Sequence, residues 1–390
     1  MIKKICIISS YYPDKTDPIF SFVGTLVEQI ADLGIECHVI SPYSYVERRH
    51  RTKDRIEYSP AGHKIYVYCP RYVRVPHIKI GNFNTYRISA DSRRAVVVRA
   101  FQKNIGDCDA FYSHFLTSGN DAAWLKRKTG KPAFVACGES NIRRNEPIYT
   151  IYRDNIYDGF DGIVYVSSAI KSDAEKLDVF SESIPTAVFP NGVNSDIFRK
   201  FDRSECRKKL KVAEDDFVVA FVGAYIKRKG FDKLQKILLR HPNWKCILIG
   251  SGDLPVELPE RQIVFAGTAE HDKIPQIIGA ADVFVLPTLE EGCCNAIIEA
   301  LACGLPVVSS DRPFNDDILD DGCSLRVDPE SMEETERAIE KLERNKELRS
   351  KLSEAALLKA ADLDIKTRAE RIVQFMEECV ENGNKMDQSE

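Results

Sequence analysis

The sequence predicts an α/β protein of two domains, each built on a doubly wound parallel sheet. Three observations carry this reading. The chain has 390 residues, where one domain ordinarily takes about 100–200. Its apolar runs are short and nearly unbroken rather than alternating, as strands covered on both faces require. Longer helix-like segments lie between those runs.

In chain order the strand-like runs are Ile5–Ile8, Cys37–Ile40, Ile65–Tyr68, Phe111–His114, Ala133–Ala136, Gly162–Val166 and Thr186–Phe189, then Val218–Val222, Lys245–Ile249, Gln262–Ala266, Val283–Leu286 and Pro306–Ser309. Helical patterns fall at Phe22–Leu33, Asp121–Thr129, Asp232–Leu239 and Asn295–Cys303. So many strands fit two sheets better than one. Phe189-Pro190-Asn191-Gly192-Val193-Asn194 supplies a proline and a turn dipeptide at the boundary, which puts one domain at 1–190 and the other at 191–364. Two such domains would face each other across a cleft at the carboxyl ends of their strands. Beyond Pro329 the pattern is helical and charged, with helices expected at Glu333–Arg344, Glu347–Lys359 and Ile365–Val380. The last carries an apolar stripe through Ala369, Ile372, Val373, Met376 and Val380. Residues 382–390 read as a disordered tail.

Composition narrows the classes. The hydrophobic fraction of 44% is that of a chain with real cores, which excludes dominant disorder. No apolar run approaches the roughly 18–20 residues of a membrane span. Met1-Ile2-Lys3-Lys4 runs straight into a short strand, unlike a signal peptide. The twelve cysteines are scattered, without zinc-like spacing to the seven histidines, and read as reduced core residues. A cytoplasmic protein is expected. The net charge of −4 conceals an asymmetry: residues 1–190 carry +5 and the rest −9, while residues 40–104 hold 14 basic against 4 acidic side chains. In that stretch Arg48, Arg49, Arg51, Arg71, Arg74, Arg87, Arg93, Arg94 and Arg99 are interleaved with tyrosines. It is either a solvated basic face or a surface for something anionic. An acidic whole chain without a recognition motif argues against nucleic acid.

Three stretches carry chemistry. Around Leu286-Pro287-Thr288-Leu289-Glu290-Glu291-Gly292-Cys293-Cys294-Asn295 a strand ends, a loop holds two carboxylates and a glycine, and a helix begins. Backbone N–H groups and a positive helix end at a strand's carboxyl edge suit an anion. Glu299, about one turn into that helix, suits sugar hydroxyls better than phosphate. The plainer alternative is acids that favour a helix start. Phe221-Val222-Gly223-Ala224-Tyr225-Ile226-Lys227-Arg228-Lys229-Gly230 is again strand, glycine turn and helix start, with three cations at the entrance. They could hold a diphosphate, or form an exposed basic turn. Ile249-Gly250-Ser251-Gly252 is a partial glycine loop, and no full G-x-G-x-x-G occurs, which weighs against a dehydrogenase.

Together these stretches resemble the family 4 glycosyltransferases, retaining enzymes of the two-Rossmann-domain GT-B fold. The resemblance rests on Glu291 and Glu299 as an E-x7-E element, on the continuation from Glu299-Ala300 through Val307, on the turn ending at Lys229-Gly230, and on the P-N-G-V segment from Pro190. It is strong from about 190 to 310 and looser before. It implies a nucleotide-diphosphate sugar held mainly by the C-terminal domain. Glu299 would take the ribose hydroxyls, Glu291 the donor sugar, and Lys229 with Arg228 the diphosphate. Gly223, Gly250, Thr268 and the segment Gly292, Cys293, Cys294 and Asn295 complete the implied donor side. Gly24, placed in the loop after the first strand, would let backbone approach the phosphate and reacting sugar. The final helix would cross back to the N-terminal domain.

The chain departs from the family's pattern twice. Ala224 stands where an arginine often follows the first glycine of the phosphate turn. Cys137, in Ala136-Cys137-Gly138-Glu139-Ser140, stands where a histidine is common. Glu139 and His114 are the alternative polar candidates on the acceptor side, with Cys137 beside them. Asp107-Cys108-Asp109 and Asp362-Leu363-Asp364 have the D-x-D form that binds metal in the other glycosyltransferase fold. Neither lies at a glycine-rich phosphate loop, so no metal and no cofactor is expected, the sugar nucleotide being a co-substrate. The acceptor would be a glycan or lipid-linked saccharide met on the basic side, with peripheral contact to an anionic membrane. A non-catalytic sugar-nucleotide binder and a GT-B epimerase are the competing readings.

Overall fold

A computed structural model of the chain describes residues 1–14, 20–46, 53–80 and 83–387. They divide into two units, Met1–Phe189 with the segment from Lys366, and Pro190–Ile365. Arg48, Arg49 and Arg51 of the basic stretch lie outside the described residues. Among the described residues no helix is long and apolar enough to cross a membrane.

The first unit is built on one sheet of eight strands: β1 (Lys4–Ser9), β2 (Glu36–Ile40), β3 (Arg55–Tyr58), β4 (Lys64–Tyr68), β5 (Ala110–His114), β6 (Ala133–Cys137), β7 (Gly162–Tyr165) and β8 (Thr186–Val188). Their order is β8-β7-β6-β5-β1-β2-β4-β3. Ile5 stands opposite Cys37 on one side and Ala110 on the other, both in parallel register; only β3 runs antiparallel to its neighbour. Every residue of β5, β6 and β7 is buried, so both faces are covered, as the unbroken apolar runs require. Helices α1 (Ser21–Asp32), α2 (Tyr86–Asn104) and α3 (Phe115–Thr129) belong to this unit.

The second unit holds six parallel strands: β9 (Val218–Val222), β10 (Lys245–Ile249), β11 (Ile263–Gly267), β12 (Val283–Leu286), β13 (Val307–Ser310) and β14 (Ser324–Val327), in the order β11-β10-β9-β12-β13-β14. Its main helices are α4 (Arg203–Leu210), α5 (Phe231–Arg240), α6 (Asn295–Ala302), α7 (Met332–Arg344) and α8 (Lys346–Asp362). Ser331 and Asn345 cap α7 and α8 by accepting the Glu334 and Leu348 amides. A charged pair sits inside this unit. Arg207, fully buried, donates to Asp282 Oδ2 at 2.8 Å and to the carbonyls of Ala280, Ala213 and Glu214. Asp282 also accepts the Val218 amide and Arg203. The network ties α4 to the starts of β9 and β12.

The helix from residue 365 is longer than the apolar stripe suggests: α9 runs Ile365–Asp387. Residues 382–387, expected to be disordered, are therefore helical, because the apolar contacts that anchor the helix upstream let it extend; residues 388–390 lie outside the described residues. Within the first unit, Glu377 Oε1 of α9 accepts the Ile2 amide at 2.7 Å, and the Phe375 ring meets Phe134 and Phe189. Two sheet strands escape the sequence reading, β3 and β14. Both are edge strands with partly exposed residues, so neither forms an apolar run. Helix α2 escapes it as well, and α3 starts at Phe115 rather than Asp121.

Candidate active site

In the second unit strand order reverses between β9 and β12, because β10 and β11 lie to one side and β13 and β14 to the other. Loops leaving the carboxyl ends of two such strands diverge and leave a crevice. The loop after β9 carries Lys227–Lys229, and the loop after β12 carries Thr288–Cys294. They are bonded together: the Leu289 amide donates to Arg228 O at 2.8 Å, and Thr288 Oγ1 to the same carbonyl at 3.2 Å. Gly230 turns the chain with φ +73°, and a Cβ there would lie 2.6 Å from Pro287 O, so glycine is needed for both backbone and contact reasons.

The neighbouring strand ends are equally close. The Gly223 amide donates to Ile249 O and the Gly250 amide to Gly267 O, at 2.9 and 2.8 Å. A Cβ on Gly250, whose φ is +142°, would sit 1.9 Å from Gly223 O. Tyr225 ties this edge together. Its amide donates to Ser251 O, its hydroxyl to Leu248 O at 2.7 Å, and its ring stacks on Phe231 with centroids 4.2 Å apart. Ala224 is exposed beside it, and Thr268 is exposed after β11.

Glu291 gathers the charge. Its Oε1 lies 2.6 Å from Lys229 Nζ and 3.2 Å from an Arg228 nitrogen, and accepts from Thr288 Oγ1 at 2.7 Å. Arg228 also donates to Glu290 O. The side chains of Glu291 and Lys229 are 11% and 14% exposed, which strengthens their attraction relative to a surface pair. Burial works to lower the Lys229 pKa, but the Cys294 sulfur and the Glu291 carboxylate outweigh it, so the pKa rises and the ammonium stays charged. The crevice thus holds two cations fixed on one carboxylate next to the amino end of α6.

Glu299 lies one turn into α6, and its Oε1 meets His271 Nε2 at 2.9 Å. Cys294, buried at the helix start, is pushed up to about 11 by burial, with Lys229 opposing and Glu291 and Glu299 adding to the rise. One thiol therefore feels the lysine and both glutamates. Asn191 braces the same helix start: its side-chain amide donates to Asn295 Oδ1 at 2.8 Å and its backbone amide to Cys293 Sγ at 3.3 Å. Gly292 is buried between the carboxylate and the helix.

In the first unit the reversal falls between β1 and β5. His114, the last residue of β5, is buried and its Nε2 has no hydrogen-bond partner. Burial, with the charge of Arg368, lowers its pKa to about 3, so the ring is neutral. Glu139, after β6, accepts the Leu116 amide through Oε1 at 2.7 Å while Oε2 has no partner. Burial raises its carboxyl to about 7 against three backbone N–H contacts that lower it. Cys137 is wholly buried, and burial raises its thiol well above the usual value. Gly24 differs from expectation. It lies inside the first turns of α1, not in a loop, and a Cβ there would meet Pro13 Cγ at 2.6 Å. Its bareness leaves room for the Pro13 ring against the helix. The D-x-D acids are engaged elsewhere: Asp107 pairs with Lys131, Asp109 accepts the Lys3 and Lys4 amides, and Asp364 accepts from Ser195.

Sequence reasoning missed His271, Thr288, Tyr225 and Asn191. Thr288 and Asn191 lie in segments singled out for their glycines and acids, and Tyr225 in the cationic turn. His271 comes from a connection with no motif.

Residues 20–197 match the family model described as Glycosyltransferase Family 4, and residues 202–359 that described as Glycosyl transferases group 1. TuaC of Bacillus subtilis (strain 168), assigned by its name to teichuronic acid biosynthesis as a glycosyltransferase, is 26% identical over 360 residues, covering 87% of this chain and 89% of TuaC. The uncharacterized glycosyltransferase MJ1607 of Methanocaldococcus jannaschii is 29% identical over 288 residues, 64% of this chain and 72% of its own. Among solved structures, sucrose-phosphate synthase from Thermosynechococcus elongatus superposes with a TM-score of 0.78 at 17% identity, covering 97% of this chain and 100% of that one. Anabaena HepE in complex with UDP and glucose gives 0.71 at 16% identity, with coverage of 97% and 100%. The fold is GT-B, and the chain belongs to the family 4 glycosyltransferases.

Proposed function

We propose that this glycosyltransferase moves a hexose from a nucleotide-diphosphate sugar to a saccharide or lipid-linked saccharide acceptor with retention of anomeric configuration, in the assembly of a surface polysaccharide. The observation that carries the donor half is the Lys229–Glu291–Arg228 cluster beside the amino end of α6. The name of TuaC supports the polysaccharide role, and the UDP complex of HepE supports a nucleotide donor.

In this reading Lys229, Arg228 and the backbone from Gly292 to Asn295 take the leaving diphosphate. Charge grows on that diphosphate as the glycosidic bond breaks, and cations already held in place meet it without reorganising. Glu291 orients the two cations and faces the donor sugar; Glu299 takes the ribose hydroxyls. Gly223 and Gly250 keep the strand edge bare enough for the ligand's backbone contacts. Since the cations supply the neutralising charge, transfer needs neither metal nor cofactor. His114, Glu139 and Cys137 are the acceptor-side candidates. The basic segment 40–104 supplies peripheral contact with an anionic membrane at the cytoplasmic face, and nucleic acid is not a partner.

A panel of UDP-, GDP- and ADP-sugars tests this. A true donor raises Tm by mass action, and nucleoside diphosphate is then released when acceptor is added, with or without EDTA. Binding without release would mark a sugar-nucleotide binder, release that stops with EDTA would remove the metal-free mechanism, and no stabilisation by any sugar nucleotide would overturn the assignment.

A further inference from the structure

The sheet of the first unit ends at β3, and no strand among the described residues pairs with its outer edge. A bare edge offers a row of unpaired N–H and C=O groups to another chain. The side chains of β3 divide between the two faces of the sheet. Ile56 and Tyr58 stand on one face, 51% and 61% exposed. Arg55 and Glu57 stand on the other, half-buried, with Arg55 Nε donating to Glu57 Oε1 at 2.7 Å.

Ile56 continues a row that begins inside the sheet. It lies opposite Tyr66 of β4, and Tyr66 lies opposite His38 of β2. The Tyr66 and His38 rings stack with centroids 4.8 Å apart and planes 11° from parallel. Cross-strand neighbours of this kind are what stabilise a sheet. The row stops at the edge with half of Ile56 in water, where a further apolar residue on the same face would extend it.

The charged face selects what can be added. A second β3 laid antiparallel, with Ile56 opposite Ile56, brings Arg55 of each copy opposite Glu57 of the other. Each charge then has an opposite charge beside it on its own strand and another across the interface. Sliding the pairing by two residues sets Arg55 against Arg55 or Glu57 against Glu57, and like charges directly opposite are destabilising. Sliding it by one turns the apolar residues of one copy to the charged face of the other. The strand therefore complements itself in one antiparallel register, and that register is the two-fold one in which both copies present the same surface.

We propose that β3 is a self-association surface: two copies of this chain pair their β3 strands antiparallel about Ile56, so that the two eight-stranded sheets run on as one. Ile56 packs on its counterpart between the two Tyr66 rings, and the Arg55–Glu57 pairs close the opposite face. Main-chain hydrogen bonds along the edge supply the attraction, and the side chains fix the register. The shared strand is four residues long, so the dimer belongs to the weak, small-interface class and forms with rising concentration. Its existence is independent of the transferase chemistry.

Sedimentation velocity of the full chain from about 1 µM to 1 mM reads the monomer–dimer equilibrium, and hydrogen exchange reads the backbone amides of Arg55–Tyr58. The chain should dimerise within this range, and those amides should gain protection as the dimer forms. Ile56→Asp, at an exposed position, should weaken dimerisation roughly tenfold or more and leave thermal unfolding of the monomer unchanged. Arg55→Glu and Glu57→Arg each set like charges across the interface and should weaken it by a similar factor. Mixed one to one, these two charge variants should regain the dimer that neither forms alone, because every charge then faces its opposite across the interface. That recovery separates pairing from local damage at Arg55, whose Nη2 also donates to Pro13 O at 2.7 Å. A chain that stays monomeric throughout, a dimer indifferent to Ile56→Asp, or charge variants that fail to pair when mixed would each overturn the proposal. Protection of the edge amides in a monomer would place another occupant on β3 and overturn it as well.

Discussion

His271 holds Glu299: the ring Nε2 lies 2.9 Å from the carboxylate Oε1, with the imidazole 42% exposed and the carboxylate 14%. Burial alone would lower the imidazole pKa, but the Glu299 hydrogen bond and charge, together with Asp272, raise it above the ordinary histidine value. The Phe198 ring lies tilted against the imidazole, with centroids 4.9 Å apart. If Glu299 takes the donor's ribose, the donor must displace this partner. The proton sits on His271 below its raised pKa and leaves as pH rises through it, so the latch is closed at low pH. Donor affinity should therefore rise with pH, by up to about tenfold per unit below that pKa, and level off above it. His271→Ala should flatten the profile, and Glu299→Ala should cost about 10–100-fold in affinity above that pKa, the worth of one or two charge-assisted hydrogen bonds, and less below it, where the latch already occupies the carboxylate. Calorimetric titration of the sugar nucleotide between about pH 6 and 9 checks both; an unaltered slope in His271→Ala would remove the latch.

Lys229→Ala should act on rate more than on binding. The lysine is fixed by Glu291 before any ligand arrives, so in the proposed mechanism its service is to charge that develops during bond cleavage. Losing such a preorganised donor costs about 10²–10³ in kcat, with a smaller change in KM. Glu291→Gln releases both Lys229 and Arg228 from their shared carboxylate and should lower kcat too. Steady-state kinetics separate these effects, and a Lys229→Ala enzyme with normal kcat and a raised KM would reassign the lysine to ground-state binding.

What could be read without coordinates was whatever leaves a periodic or clustered trace. The strands of both sheet centres are unbroken apolar runs because helices cover both faces, and Glu291, Arg228 and Lys229 stand in segments marked by glycine, with Glu299 one turn into the helix that follows. The exceptions have physical causes. Strands β3 and β14 are edges with partly exposed residues: β3 alternates between half-buried and exposed positions, and β14 has two half-buried residues at its middle. Helix α2 places Thr85, Ser89 and Ser92 on the segment Val73–Ile78, so its partner is a polar strap and its apolar period is weak. The resemblance places Gly24 in the loop after the first strand, whereas it lies inside α1, where a side chain would meet Pro13. His271 was illegible because its partner is 28 residues away and no local pattern announces the pairing.

Gly250→Ala should break the donor edge. The added methyl would lie 1.9 Å from Gly223 O, in a backbone conformation with φ +142°. Relief requires moving the ends of β9 and β10 apart, since the Gly223 amide is bonded to Ile249 O. A destabilisation of about 2–4 kcal/mol is expected from clash and strain together, with loss of donor stabilisation in the variant that remains folded. Gly267→Ala provides the comparison: its φ is +129° but nothing lies within 4 Å of a Cβ there. Strain alone should then cost less, and thermal unfolding of the two variants side by side measures the difference. Equal losses would show that conformation, not the close approach of the strands, governs this edge.

Asp282→Ala should be the most damaging substitution away from the crevice. It strands Arg207, fully buried, with only backbone carbonyls for partners, and it leaves the Val218 amide unpaired at the head of β9. Removing one member of a buried pair costs about 3–5 kcal/mol because the other charge remains desolvated. Replacing both, as Arg207→Met with Asp282→Leu, should recover much of that loss, since the uncompensated charge is gone even though the amide stays unpaired. Denaturant unfolding of the two single variants and the double variant gives the coupling energy. A double variant as unstable as the sum of the singles would show that Arg207 and Asp282 act independently, with the carbonyl contacts rather than the ion pair holding α4 against the sheet.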